Sequence, residues 1–107
     1  MNDVQYVEAA RMFAERVMNE GGMAVDDRVT FAFRSLLNRR PSTTELESLT
    51  NLFEEYLSMF TSDSESATRL LAAGESPRNE QLNVSELAAW TMVTHLLLNL
   101  SEAVTKG

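Results

Sequence analysis

The chain has 107 residues, 44% of them hydrophobic and 23% charged, which is the composition of one folded domain and excludes a disordered segment. Sixteen acidic residues against nine Lys and Arg give a formal charge of −7, so a phosphate backbone meets net repulsion and nucleic acid is not an expected partner. The absence of Cys excludes disulfides, thiolate metal sites, a cysteine nucleophile and CxxCH haem attachment.

No stretch shows the alternation of a β-strand, and helical periodicity recurs five times, so the pattern predicts an all-α domain spanning residues 1–107. The first helix runs from Val4 to Glu20, with Asp3 or Asn2 as cap and Tyr6, Ala10, Phe13, Ala14 and Val17 along one face; Gly21-Gly22 ends it. The second runs from Asp27 to Asn38, capped by Asp26, with Val29, Ala32, Phe33, Leu36 and Leu37 as its apolar stripe. Arg39 and Arg40 follow, placed to satisfy that helix's last carbonyls and to pair with nearby acids.

Pro41 stops the second helix, and Ser42-Thr43-Thr44-Glu45 has the form of a capping box opening a third helix from Thr43 to Phe60. Leu46, Leu49, Phe53, Tyr56, Leu57 and Phe60 face inward from it. A second box-like string, Ser62-Asp63-Ser64-Glu65, opens a short fourth helix through Ala67, Leu70 and Leu71, which Gly74 terminates. After the loop 74–82, Asn83 caps the last helix, Glu86 to Val104. Its sequence, ELAAWTMVTHLLLNLSEAV, is apolar on almost every face and so belongs at the centre of a bundle. Polar Thr91, Thr94, His95 and Asn99 interrupt its apolar stretch, which falls short of the ~20 residues of a membrane span.

Few residues offer chemistry. The loop Gly74-Glu75-Ser76-Pro77-Arg78-Asn79-Glu80-Gln81-Leu82 is rich in turn residues, and such loops carry function because they need not pack. Glu75, Ser76 and Arg78 with His95, the one histidine, form the candidate constellation for a small enzyme or ligand binder. The bland alternatives are a surface connector and a partly buried histidine hydrogen-bonded by a neighbouring helix. Glu54-Glu55 diverge by about 100° on a helix, and Asp26-Asp27 suit a helix N-terminus, so neither pair is a catalytic dyad. The link between the second and third helices resembles a helix-turn-helix, but Glu45, Glu47, Glu54 and Glu55 on the third would repel phosphates. The six methionines can line an adaptable binding groove, but filling irregular gaps in the core is their commoner use and the expected one.

Three stretches carry a family resemblance: NDVQYVEAARMFAERV, FAFRSLLNRRPSTTELESL, and LLAAGESPRNEQLNVSELAAWTMVTHLLLNLSEAVTK. Together they resemble the C-terminal domain of planctomycete-type proteins that carry a cytochrome c module followed by two regions of unknown function. The most specific parts are Gly74-Glu75-Ser76-Pro77, Glu86-Leu87-Ala88-Ala89-Trp90-Thr91 and Leu98-Asn99-Leu100; Ser101 stands where that family often has an acidic residue. The resemblance implies a helical tail domain of a longer exported protein, with any haem held by a separate N-terminal module and no catalytic residue to carry over.

The sequence therefore predicts a compact bundle of about five helices with the C-terminal helix central, binding no cofactor. It is expected to act as a non-catalytic packing module, its partners being other domains of a parent protein, a separate protein or a second copy. Expressed alone, and lacking an export signal in MNDVQYVEAARMF, it would stay in the cytoplasm; within the parent family it would lie outside it.

Overall fold

The computed structural model describes the backbone of residues 3–106 and the side chains of residues 4–103. It contains α1 (Asp3–Glu20), α2 (Val25–Leu37), α3 (Thr43–Ser62), α4 (Ser64–Leu71) and α5 (Val84–Lys106), with no strand among the described residues. Helix α5 packs against each of the other four, so the segment picked out as too apolar for a surface is the axis of the bundle. None of these helices is long and apolar enough to cross a membrane.

Enclosure is tightest in the first half of α5. Leu87, Ala88, Ala89, Trp90, Val93 and Leu97 have no exposed surface. Trp90 stacks on Phe53 of α3 with ring centroids 4.1 Å apart, and one apolar cluster runs from these residues to Ala14 and Val17 of α1, Val29 and Phe33 of α2, and Ala67 and Leu71 of α4. The second half is different: Leu96, Asn99 and Leu100 are exposed, so α5 has a solvent face toward its C-terminal end. Methionine is used less in the core than expected. Met18 is buried and Met92 packs on the cluster, whereas Met12, Met23 and Met59 are exposed.

Caps fix the helix ends, though not always by the expected residue. Helix α3 starts on a complete capping box, with the Glu45 backbone N–H donating to Ser42 Oγ at 3.1 Å and the Ser42 N–H donating to Glu45 Oε1 at 2.8 Å. Asn83 Oδ1 accepts from the Glu86 N–H at 2.9 Å and holds the start of α5. Asp26 is not the cap of α2: the helix begins two residues before Asp27, at Val25, Ala24 occupies the cap without a side-chain bond, and Asp26 and Asp27 lie in the first turn. There they favour the positive end of the helix dipole. Ser62 does not cap α4, because α3 continues through it. Asp63 takes the role, accepting from the Ser66 N–H at 3.2 Å. For α1, Asp3 is helical and the alternative cap Asn2 lies outside the described residues.

The end of α2 is closed by Asn38, whose left-handed backbone (φ 59°) sends its N–H to the Arg34 carbonyl at 3.0 Å. Arg39 pairs with a nearby acid as expected, gripping both oxygens of Glu45 at 2.9 Å and lying over the Phe33 ring, and so ties α2 to α3; its bond to main chain goes to the Arg40 carbonyl and not to one of α2. At the other turn, Arg28 of α2 donates to the Gly22 and Met18 carbonyls and satisfies the open end of α1.

Two outcomes follow for stability. Trp90→Ala leaves a cavity between α5 and α3 and lowers the unfolding free energy by about 3–5 kcal/mol, whereas Leu96→Ala on the solvent face of the same helix costs much less; urea denaturation compares them. The Glu45 carboxyl is held down to about 2, from an ordinary 4.5, first by the Arg39 side chain and then by the Ser42 backbone N–H. Because its folded value is depressed, its contribution is complete above the unfolded carboxyl range and disappears as pH falls from 4.5 toward about 2. Melting temperatures of the native chain and Glu45→Gln should therefore differ near neutrality and converge across that interval.

Candidate functional site

Helix α1 carries Glu8, Arg11 and Glu15, spaced so that all three side chains project over one face. Arg11 falls on the same stripe as Val7, Ala14 and Met18, which helical geometry turns toward the core, and its side chain is only 1% exposed. A buried guanidinium needs acceptors on its donors, and the loop after α4 provides them. Nη2 donates to the Ser76 carbonyl at 2.7 Å, and Nη1 donates to Glu15 at 2.8 Å and to the Pro77 carbonyl at 3.4 Å. Nε is buried without a partner among the described residues.

The flanking carboxylates hold the loop by its other polarity. Glu8 Oε2 accepts from the Ser76 N–H at 2.6 Å, and Glu15 Oε2 accepts from the Asn79 N–H at 2.9 Å. Ser76 is thus gripped at both backbone groups, by a carboxylate and a guanidinium one helical turn apart. The Ser76 N–H bond is the main reason the Glu8 carboxyl lies below its ordinary range, with Arg11 adding attraction. Such a carboxylate is a poor proton acceptor near neutral pH, so this geometry anchors main chain and does not prepare a general base. Gly74 makes the close approach possible: its φ is +90°, and a Cβ there would collide with the Glu8 carboxylate.

Of the four candidate residues the structure brings Ser76 into this cluster, chiefly through its backbone, while the Ser76 hydroxyl and the Glu75 N–H also help to lower the Glu8 carboxyl. Glu75 is exposed and Arg78 half-buried in the same loop. His95 is half-buried on α5, where its ring meets the Tyr6 ring edge-on at 5.2 Å and its Nδ1 lies 3.4 Å from Asn99 Nδ2. Among the described residues its hydrogen-bonding partner comes from its own helix, and the neighbouring α1 supplies the Tyr6 ring. Among the described residues no group of three His, Asp or Glu is placed to hold a metal ion.

Beside the clasp lies an open groove of about 460 Å³ bounded by Ala9, Met12 and Phe13 of α1 and by Ser76 and Pro77 of the loop, with Arg11, Glu15 and Arg16 of α1 also on its lining. Phe13 stacks on Phe31 of α2 at 6.3 Å, with the Arg16 guanidinium over both rings. The trio of Glu8, Arg11 and Glu15 escaped the sequence reading. Its trace was present, since an arginine interrupting an otherwise apolar stripe, with carboxylates three residues before and four after, marks a charge that must be satisfied internally.

Removing the guanidinium should test its weight. Arg11→Met keeps the apolar stem but leaves the Ser76 and Pro77 carbonyls without their charged donor, and is expected to cost about 2–4 kcal/mol in urea denaturation. Arg16→Met, which removes an exposed ion pair with Glu20, should cost clearly less.

None of the curated proteins and none of the solved structures shows a significant match to this chain. Residues 1–53, which comprise α1, α2 and the first half of α3, match the family model PSD1, described as a protein of unknown function (DUF1553).

Proposed function

We propose that this chain is a non-catalytic helical module that packs against another domain or protein through the groove beside the α1 clasp. The observation that carries this reading is the division of labour on α1. Its charged side chains Glu8, Arg11 and Glu15 are consumed by internal bonds to the loop, while Met12, 49% exposed, is left at an open groove walled by Phe13 and Pro77. Flexible Met beside aromatic rings suits an adaptable apolar contact, and Arg16 over the Phe13 and Phe31 rings gives it a charged rim.

The resemblance to the tail domain of planctomycete cytochrome-c-associated proteins supports the same reading, in which the groove faces other domains of a longer exported polypeptide. A second copy of the chain is the other occupant compatible with an apolar groove. A ligand-binding role for the 74–83 loop with His95 has weaker support, because, of the candidate residues Glu75, Ser76, Arg78 and His95, Ser76 alone borders the groove.

A photoreactive amino acid placed at Met12 in the cells that make the protein tests the proposal, with a second probe at exposed Ser48 on α3 as reference. The expected result is one dominant crosslinked product from position 12, absent from position 48 and suppressed by Pro77→Glu across the groove. Indistinguishable, diffuse labelling from both positions would overturn it.

A further inference from the structure

We propose that the segment from Gly74 to Gln81 is a detachable strap, hinged at Gly74 and Leu82, which lifts from α1 while the five helices stay packed. Every hydrogen bond that joins this segment to the rest of the described protein ends on Glu8, Arg11 or Glu15. The remaining bonds near it are its own: Gln81 N–H to Asn79 Oδ1 and Leu82 N–H to the Asn79 carbonyl. Leu82 is the one residue between Gly74 and Asn83 that packs against the apolar core, which makes it the hinge and not part of what moves.

The helices on either side have independent anchors. Leu71 of α4 and Leu87 of α5 are fully inside the core, and α5 keeps its own cap on Asn83. Opening therefore exchanges four bonds between charged side chains and main chain for bonds to water, and removes little apolar surface from the core. Each exchange is partly offset by new bonds to water while the apolar core stays closed, which is the condition for a local opening below global unfolding. The open state differs from the closed one in a defined way: the Arg11 guanidinium and both carboxylates reach water, and the groove at Met12 and Phe13 loses its Ser76 and Pro77 wall. This motion stands apart from the docking reading, since it is read without any partner.

Arg78 supplies the assay, because the Arg78–Asn79 bond lies between the tethered residues Ser76 and Asn79 and is the tryptic site of the strap. In limited proteolysis of the full chain, the double variant Glu8→Gln, Glu15→Gln should be cut there at least about tenfold faster than the native chain, charge-assisted bonds having been replaced by neutral ones. Cleavage after Arg34 in α2 and Arg69 in α4 should not change. An unaltered rate at Arg78, or equal acceleration at all three sites, overturns the proposal. Native-state hydrogen exchange of the unmodified chain gives an answer even if the variant unfolds. The Ser76 and Asn79 amides should exchange through an opening insensitive to low urea, while the Trp90 amide follows global unfolding. A common urea dependence for all three would sink the strap.

Discussion

The constraint on which the architecture rests is the enclosure of α5 from Leu87 to Leu97. A helix with apolar side chains around nearly its whole circumference has to be walled in on several sides, and α1, α3 and α4 with part of α2 supply the walls. The polar residues inside that stretch are handled locally. The Thr91 hydroxyl donates to the Leu87 carbonyl of its own helix at 2.7 Å, and the Thr94 hydroxyl lies 2.9 Å from both the Trp90 carbonyl and the Ala10 carbonyl of α1. Threonine can therefore sit in the core without an orphan hydroxyl, and Thr94 joins the axis to its neighbour. The Trp90 indole N–H has no such solution and is buried without a partner among the described residues, its ring stacked on Phe53.

Placing α5 at the centre creates a second requirement. The chain must travel from the end of α4 to the start of α5 along the outside of the bundle, and a segment with almost no apolar residues cannot be fixed there by burial. Ion-assisted bonds to its main chain fix it instead. Arg11 meets the carbonyls and Glu8 and Glu15 meet the N–H groups, so the alternating polarity of an irregular backbone is matched by alternating charge on a regular helix. The arrangement also accounts for a charge inside an apolar stripe: Arg11 takes the space of a core residue and spends its donors on the loop.

The five helices and their central element were legible because each rests on local patterning that tertiary packing then reinforced. Capping was legible where the polar residues fall on the actual boundary, as with the reciprocal Ser42 and Glu45 pair and with Asn83, and was displaced where a helix ran on through the expected cap, as α3 does through Ser62, or began before it. Asp26 suits a cap or a first turn equally, and Val25 extended the helix past it. Asn38 closed α2 from the left-handed region, which left Arg39 free to reach Glu45. Three exposed methionines contradict their expected use because side-chain volume alone does not say which face a residue occupies. The clasp was illegible for a different reason. Its partners lie 64 to 68 positions apart in the chain, so only the fold brings Glu8 to Ser76 or Glu15 to Asn79.

That separation also bears on what residues 1–53 can be by themselves. The matched segment contains the whole trio of Glu8, Arg11 and Glu15 and the ring of Phe53, but neither the loop that the trio holds nor the Trp90 on which the ring stacks. Cut at that boundary, Arg11 would lose two of its three acceptors, and Ala14, Val17, Val29 and Phe33 would face water where α5 now lies. The physical unit is larger than the matched one. Any chain that shares this α1 with its arginine turned inward must supply, from somewhere else in its sequence, both an apolar helix to cover the stripe and main-chain carbonyls to receive the guanidinium.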